Sequence, residues 1–419
     1  MLVESAVEIF ELTNGSKLLY NKNPSDVFAI DVSVNFGSAF EEQSKAGAAH
    51  FIEHMFFSGT KKLSRRQIAS RIDSVGGTIN AFTSRESIHY YVKVRSKHYE
   101  LAINALFECF NNCEFFPKEL ELERKIILNE IKDMQDNPIR HTLSEFVKLC
   151  LPGRFGRPIL GSKEGVSSFT RRDLLSTFKR THFPRNAIIA ITGPENAGRY
   201  IKKIEECAAS SIQRKPLKLS RCKAKPQKKE KIIEREIEQA HLCIGFPAIS
   251  SASSNYAAFS LIEAILGGGL SSRIIYEVRE KRGLSYITQP FLEAEPMHGY
   301  FAVYLATNPN KVEKAKRVVL REFEKLKKQR ISARELGRAK RYIIGTKALE
   351  WEDSLERVKD AVFAERSGWS WQEYFKAIKE IDAKELRKVA RETIPSDEFC
   401  SVLLKPKNQT LKRGFKANF

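Results

Sequence analysis

The sequence lacks the features that direct a chain into a membrane or an export pathway. None of its apolar runs reaches the length of about 20 residues that a membrane-spanning helix needs. The opening stretch, MLVESAVEIFELTNGSKLLY, contains neither the apolar core of a signal peptide nor an Arg- and Ser-rich presequence. It is typical of strand, turn and strand, with Asn14 and Gly15 at the turn. We therefore expect a cytoplasmic protein with no membrane insertion.

Cysteine is scarce and irregularly spaced. The seven cysteines are odd in number, and several of them lie in apolar runs. Cys109 and Cys113 are one helical turn apart, but no second cysteine pair or nearby histidine completes a zinc knuckle around them. This usage indicates reduced, buried thiols rather than a framework of disulfides.

Acidic residues are outnumbered by basic ones, with 51 Asp+Glu against 71 Lys+Arg and a formal net charge of +20. Such an excess suggests nucleic acid, a membrane surface or acidic peptides as partners. Much of the charge lies on helix faces such as residues 311–330, which is typical of a solvated surface, and no recognisable nucleic-acid-binding motif accompanies it. A basic nucleic-acid-binding protein is therefore the weakest of our functional hypotheses, and we predict no specific nucleic-acid partner. A steep salt dependence of DNA or RNA binding would support the nucleic-acid-binding hypothesis.

The chain is long enough for two domains, with 419 residues of which 42% are hydrophobic. A basic segment that contains two prolines and almost no periodic apolar residues divides it at residues 214–231. We predict an N-terminal domain at 1–213, a linker at 214–231 and a homologous C-terminal domain at 232–419. Strands and helices are mixed rather than regularly alternating. Each domain is therefore expected to be α+β, with helices packed on one face of a largely antiparallel sheet.

The second half repeats the first at an offset of 216 residues, as PKELELERKIILNE (117–130) matches ARELGRAKRYIIGT (333–346). At this offset the ionisable residues of the first half meet uncharged ones: His50 and His54 align with Leu266 and Leu270, and Glu123 and Glu130 with Ala339 and Thr346. The repeat keeps its apolar positions and drops these ionisable ones. We infer that the histidines and glutamates serve chemistry in the first domain, and that the second domain lacks the site.

His50, Glu53 and His54 form the pattern H-x-x-E-H in the stretch HFIEHMFFSGT, which is the inverted zincin signature. Residues four apart share one face of a helix, so both imidazoles can bind one ion while Glu53 reaches a water on it. A catalytic zinc site needs a third protein ligand and an open position. Glu130 is the best candidate, and Glu123, on the same helix face, is expected to accept a proton from a ligating histidine. The reverse assignment of the two glutamates stays open.

Three motifs in this order and spacing, HFIEHMFFSGTKK, GGTINAFTSRES and LERKIILNEIKDMQDNP, resemble those of the pitrilysin-like M16 zinc peptidases. The resemblance covers nearly the whole chain. A short chain with two homologous halves is similar to the mitochondrial-processing-peptidase-like branch of that family. The resemblance implies one zinc ion per chain, held by His50, His54 and Glu130, with Glu53 as the general base that activates water.

The resemblance also implies residues that handle the substrate. An edge strand that pairs with the substrate backbone is expected to contain Asn80, Ala81 and Phe82. In the second half, GGGLSSRIIYEVREKRGLSYI resembles the family segment that supplies an arginine and a tyrosine to the active site. Arg279 and Tyr286 fit its spacing, with Arg282 as an alternative arginine. In short-chain members this pair is expected to come from a facing subunit and to stabilise the oxyanion.

The resemblance therefore implies a zinc-dependent endopeptidase that hydrolyses short or unfolded peptides inside a dimeric chamber. The main alternative is a non-catalytic or partner-dependent subunit of a heterodimeric processing peptidase. Non-catalytic relatives typically lose part of the H-x-x-E-H…E set, which is complete in this sequence. A homodimer and a heterodimer with a related chain are both compatible with the sequence.

Overall fold

The computed structural model describes residues 7–208 and 214–407, which form two sheets covered by helices. The strands are β1 (Glu8–Glu11), β2 (Lys17–Lys22), β3 (Val27–Val34), β4 (Thr78–Thr83), β5 (Ile88–Arg95), β6 (Ala187–Gly193), β7 (Lys229–Arg235), β8 (Ala240–Pro247), β9 (Ser285–Ala294), β10 (Gly299–Thr307) and β11 (Cys400–Pro406). The helices are α1 (Ala48–Phe56), α2 (Arg65–Asp73), α3 (Tyr99–Asn112), α4 (Pro117–Asp136), α5 (Pro138–Cys150), α6 (Lys163–Ser168), α7 (Arg171–Thr181), α8 (Ala197–Cys207), α9 (Tyr256–Gly267), α10 (Arg273–Ile275), α11 (Val312–Lys328), α12 (Ala333–Glu350), α13 (Ser354–Ser367), α14 (Trp371–Glu380) and α15 (Ala383–Thr393).

The two sheets share one topology. The first has the order β1-β2-β6-β3-β5-β4, and the second has the order β7-β11-β8-β10-β9. In each sheet one pair is parallel, β2 with β6 and β7 with β11, and the other pairs are antiparallel. Strand β1 is an addition to the first sheet, and β4 forms its opposite edge. This architecture confirms the predicted α+β class with largely antiparallel sheets.

The helices keep the offset of 216 residues that the sequence repeat predicts. Helices α4 and α12 begin at Pro117 and Ala333, and helices α5 and α13 begin at Pro138 and Ser354. Ser64 closes a capping box with Gln67 at the start of α2, and this satisfies backbone donors that the helix itself leaves free.

Each sheet is covered on its second face by a helix from the other half of the chain. Helix α13 packs apolar residues onto the first sheet, where the contacting cluster is Leu355, Val358, Ala361 and Val362 with Leu19, Ala29 and Ala190. Helix α5 does the same on the second sheet, where the cluster includes Phe146, Val147 and Cys150 with Cys243, Ala302 and Val402. The expected packing of helices on one face therefore describes each half by itself, and the second face is closed by an exchange of helices.

The linker contacts the first half. Residues 214–228 form no helix or strand, and β7 begins at Lys229, two residues before the predicted end of the linker at residue 231. The side chain of Asn35 donates to the Leu217 carbonyl at 2.6 Å, and the Leu217 N–H donates to Asn186 Oδ1 at 2.9 Å. The predicted domain boundary at residue 213 lies outside the described residues. None of the helices in the described ranges combines the length and hydropathy of a membrane crossing.

Candidate metal centre

Helices α1 and α4 bring His50, His54 and Glu130 into one group, which we call the metal cluster. One ligand atom from each residue lies within 4.8 Å of the other two. The Nε2 atoms of His50 and His54 lie 3.7 and 3.6 Å from Glu130 Oε2. Two imidazoles and a carboxylate are a donor set of catalytic zinc sites, which leave a further position for water or substrate. The residues therefore fit a zinc ion, and no other His, Cys, Asp or Glu group within 7–208 and 214–407 meets this spacing.

The start of α1 is fixed by contacts that the sequence analysis did not anticipate. The buried Glu41 carboxyl accepts hydrogen bonds from the N–H groups of Gly47 and Ala49 at 2.9 and 2.7 Å. Burial raises the pKa of Glu41 to about 8, although both hydrogen bonds oppose the rise. The two donors belong to the first turn of the helix, where backbone N–H groups have no partner within the helix. Gly47 has a φ of 100°, and a Cβ there would lie 3.0 Å from the backbone of Gly161. The helix that presents the histidines is therefore held firmly at its N-terminal end.

His50 is buried beside the second histidine. Burial and, to a lesser extent, the neighbouring charge of His54 lower the pKa of His50 to about 3, while the Glu123 charge opposes them. The imidazole is therefore neutral at physiological pH, which is the form that binds a metal ion. The two rings lie 4.6 Å apart at an angle of 65°.

Glu123 orients His54 from the side opposite to the metal cluster. The Nδ1 atom of His54 lies 2.7 Å from Glu123 Oε2, and the other carboxylate oxygen accepts a hydrogen bond from Arg65. Burial raises the pKa of Glu123, but the hydrogen bonds from His54 and Arg65 outweigh it and leave the pKa lowered. The contact fixes the proton on Nδ1 and leaves Nε2 of His54 toward Glu130. This geometry favours Glu130 as the metal ligand and Glu123 as the carboxylate that orients His54. Arg65 has no sequence signal that links it to Glu123.

Glu53 lies on α1 next to the metal cluster and contacts strand β4. Its Oε2 accepts a hydrogen bond from Thr83 Oγ1 at 2.6 Å. Burial raises the pKa of Glu53, with the Glu130 charge acting in the same direction, while Thr83 and His54 oppose the rise. A raised pKa suits a carboxylate that accepts a proton near neutral pH. Thr83 directly follows the predicted substrate-binding residues and lies within the motif GGTINAFTSRES, but no role was predicted for it.

Strand β4 contains the three residues that the resemblance assigns to the substrate. It pairs with β5 alone, so its other edge is open. The Ala81 N–H donates to Oδ1 of Asn80 at 2.8 Å. The Phe82 ring stacks on His89 with a centroid distance of 4.4 Å and an angle of 6°. An open strand edge is the structural requirement for pairing with an extended peptide.

The structure does not bring Arg279 and Tyr286 to the metal cluster of the same chain. The Arg279 guanidinium lies 3.4 Å from Glu280 and 5.8 Å from the centroid of the Tyr286 ring. Tyr286 is 81% exposed. Among the described contacts, no hydrogen bond or ion pair joins either residue to the cluster. Arg282, the alternative arginine, is held by the carboxylate of Glu277.

Comparisons with known proteins identify the family of the chain. Residues 17–150 match the family model described as insulinase (peptidase family M16), and residues 168–343 match the model described as the peptidase M16 inactive domain. An uncharacterized zinc protease of Mycobacterium tuberculosis is 31% identical over 374 residues, which cover 87% of this chain and 85% of the relative.

Solved structures show the same fold at lower identity. A protease from Helicobacter pylori has a TM-score of 0.90 at 21% identity and covers 96% of this chain and 100% of its own. A structure described as a peptidase M16 inactive domain from Pseudomonas fluorescens has a TM-score of 0.89 at 20% identity, covering 96% of this chain and 98% of its own. From the family models and the extent of the match to the mycobacterial relative, the chain belongs to peptidase family M16.

Proposed function

We propose that this chain is a zinc-dependent endopeptidase that cleaves short or unfolded peptides. The observation that carries the proposal is the metal cluster of His50, His54 and Glu130 with the Glu53 carboxylate beside it. The names of the relatives, which include zinc proteases, support zinc as the metal.

Each residue of the site would have a separate role in hydrolysis. A zinc ion bound at the cluster would polarise the scissile carbonyl and lower the pKa of a water. Glu53 would accept the proton of the attacking water and deliver it to the leaving amine. Glu123 would keep His54 in the tautomer that binds metal through Nε2. Strand β4 would hold the peptide in an extended conformation through its open edge.

We further propose that the working unit is a dimer, either of two such chains or with a related chain. Arg279 and Tyr286 have exposed side chains, and none of the contacts described for them reaches the metal cluster of their own chain. This position supports a role at the site of a facing subunit, where a cation and a phenol would stabilise the oxyanion. It equally supports the second candidate function, a subunit whose activity depends on its partner. The cytoplasmic location and the lack of a nucleic-acid partner stay predictions from the sequence.

Removal and return of the metal test the proposed function. Treatment with 1,10-phenanthroline is expected to remove about one zinc per chain and to stop cleavage of a quenched fluorescent peptide library, because the open zinc position is where the reaction occurs. Addition of one equivalent of zinc should restore the zinc content and the cleavage. Cleavage that persists in the metal-free protein would contradict the proposal. One bound zinc without cleavage would favour the partner-dependent subunit.

Mixing two impaired variants tests the shared site. Glu53→Gln and Arg279→Ala chains are expected to be strongly impaired when each is pure. After the two are unfolded and reassembled together, about a quarter of the wild-type activity should return, because about half of the dimers are mixed and each mixed dimer holds one intact site. The cleavage rate is measured against the mixing ratio. A mixture no more active than its components would show that Arg279 does not act across the dimer.

A further inference from the structure

The turn that follows the substrate strand β4 is buried against the second half of the chain. Arg85 Nη1 donates to Glu293 Oε1 at 2.7 Å, and Arg85 Nε donates to the Phe155 carbonyl at 2.9 Å. The Glu86 side chain is buried, and its Oε1 accepts the Met297 N–H at 2.9 Å. Each of these two consecutive charged residues therefore contacts β9 or the turn between β9 and β10, and Arg85 also contacts the first half at Phe155.

A histidine of the second half completes this network. His298 Nδ1 lies 2.8 Å from Glu86 Oε1, and His298 Nε2 lies 3.6 Å from Glu293 Oε1. Burial lowers the pKa of His298, but the two glutamates outweigh it and raise the pKa overall. Burial raises the pKa of Glu293, yet His298 and Arg85 bring it down to about 2. His298 and Glu293 thus favour one another in their charged forms, and an unpaired charge beside the buried His298 is costly.

The network lies at the end of β4 that is closest to the proposed base. Thr83, the last residue of β4, donates to Glu53, and the turn of residues 84–87 follows at once. The second half also contacts the strand itself, since Lys359 Nζ on α13 lies 5.6 Å from the centroid of the Phe82 ring. An edge strand has only one neighbouring strand to hold it. Contacts at its end therefore have a large influence on where the strand lies.

We propose that Arg85 and Glu86 are positioning residues through which the second half sets the place of β4 for substrate and, through Thr83, the orientation of Glu53. This inference rests on the proposed peptidase function for its consequence. The placement of β4 by the second half can be measured in protein that cleaves no peptide. The second domain, which lacks metal ligands, then contributes to the site by holding the strand that binds the peptide.

Hydrogen exchange of residues 78–83 in the zinc-loaded protein tests the placement directly. Arg85→Met, Glu86→Gln and Glu293→Gln are each expected to speed exchange of β4 amides about tenfold or more, because local opening becomes easier. Arg85→Lys, which keeps the charge, should retain much of the protection. The matched control is Arg273→Met, which breaks the partly buried pair of Arg273 with Glu335 at 2.7 Å within the second half. The control should leave β4 exchange unchanged.

Peptide binding gives the second readout. In the Glu53→Gln background, the Kd of a bound peptide is expected to rise about tenfold with Glu293→Gln and to stay unchanged with Arg273→Met, since only the former alters the strand edge. In the active enzyme, KM should rise more than kcat falls, with zinc content unchanged. Wild-type β4 exchange in all three network variants, with stability losses like that of the control, would overturn the inference. If the wild type cleaves no peptide, the proposed function fails while the exchange measurement still decides the positioning role.

Discussion

Glu53→Gln is expected to abolish peptide cleavage while the protein retains its zinc. The variant removes the carboxylate that would accept the proton of water, and general acid–base groups contribute about 10²- to 10⁴-fold to a rate. Glutamine has nearly the same shape and can still accept the hydrogen bond from Thr83. The metal cluster of His50, His54 and Glu130 is untouched by the change. Zinc content and single-turnover cleavage of a peptide are measured on the same preparations.

A matched control distinguishes loss of the base from loss of a buried carboxyl. Glu263 lies on α9 in the second half, and burial raises its pKa to about 7. Glu263→Gln is therefore expected to leave cleavage at the wild-type rate. Cleavage by Glu53→Gln within a few-fold of wild type would exclude Glu53 as the base. Loss of zinc together with activity would instead identify Glu53 as a residue needed for metal binding.

Glu130→Gln is expected to lose both zinc and activity, whereas Glu123→Gln is expected to lose affinity but not the site. Glu130 supplies the only carboxylate of the metal cluster, and an amide is a poor replacement for it. Glu123 acts on His54 through Nδ1, and loss of such a partner typically costs about 10- to 100-fold in metal affinity. Titration with zinc against a competing chelator measures the zinc affinity of both variants. Excess zinc should restore cleavage only in Glu123→Gln.

Comparison with Glu119 distinguishes the roles of Glu123 and Glu130 most clearly. Glu119 pairs with the same arginine as Glu123, since Arg65 Nε lies 2.9 Å from its carboxylate, but it does not contact a histidine. Glu119→Gln should therefore retain wild-type zinc affinity. If Glu123→Gln lost zinc completely and Glu130→Gln bound it normally, the assignment of the two residues would have to be reversed.

The parts of the site that the sequence predicted are those with a local signal. The H-x-x-E-H spacing places three side chains on one helix, and the seven-residue spacing of Glu123 and Glu130 places both on one face of α4. Thr83, Arg65 and Glu41 were not predicted, because each reaches the site by a contact between distant segments. Such contacts depend on how elements pack, and neither composition nor periodicity records them.

The fold shows the same division. The capped helix α2 and the hairpin of β4 and β5 are formed by residues close together in the sequence, which determine them locally. The start of β7 at Lys229 was missed because its sequence, KEKIIER, is mostly exposed and charged, and pairing with β11 is what makes it a strand. The place of α13 was missed because its apolar residues pack onto a sheet formed by the opposite end of the chain.

The exchange of α5 and α13 resembles that of a domain-swapped dimer. In this chain a linker joins the two halves that exchange the helices. In a swapped dimer each protomer covers the core of the other with an exchanged element. Here each half, without the helix of its counterpart, would expose an apolar sheet face to water. The half without the metal cluster is therefore needed for the fold of the half that contains it.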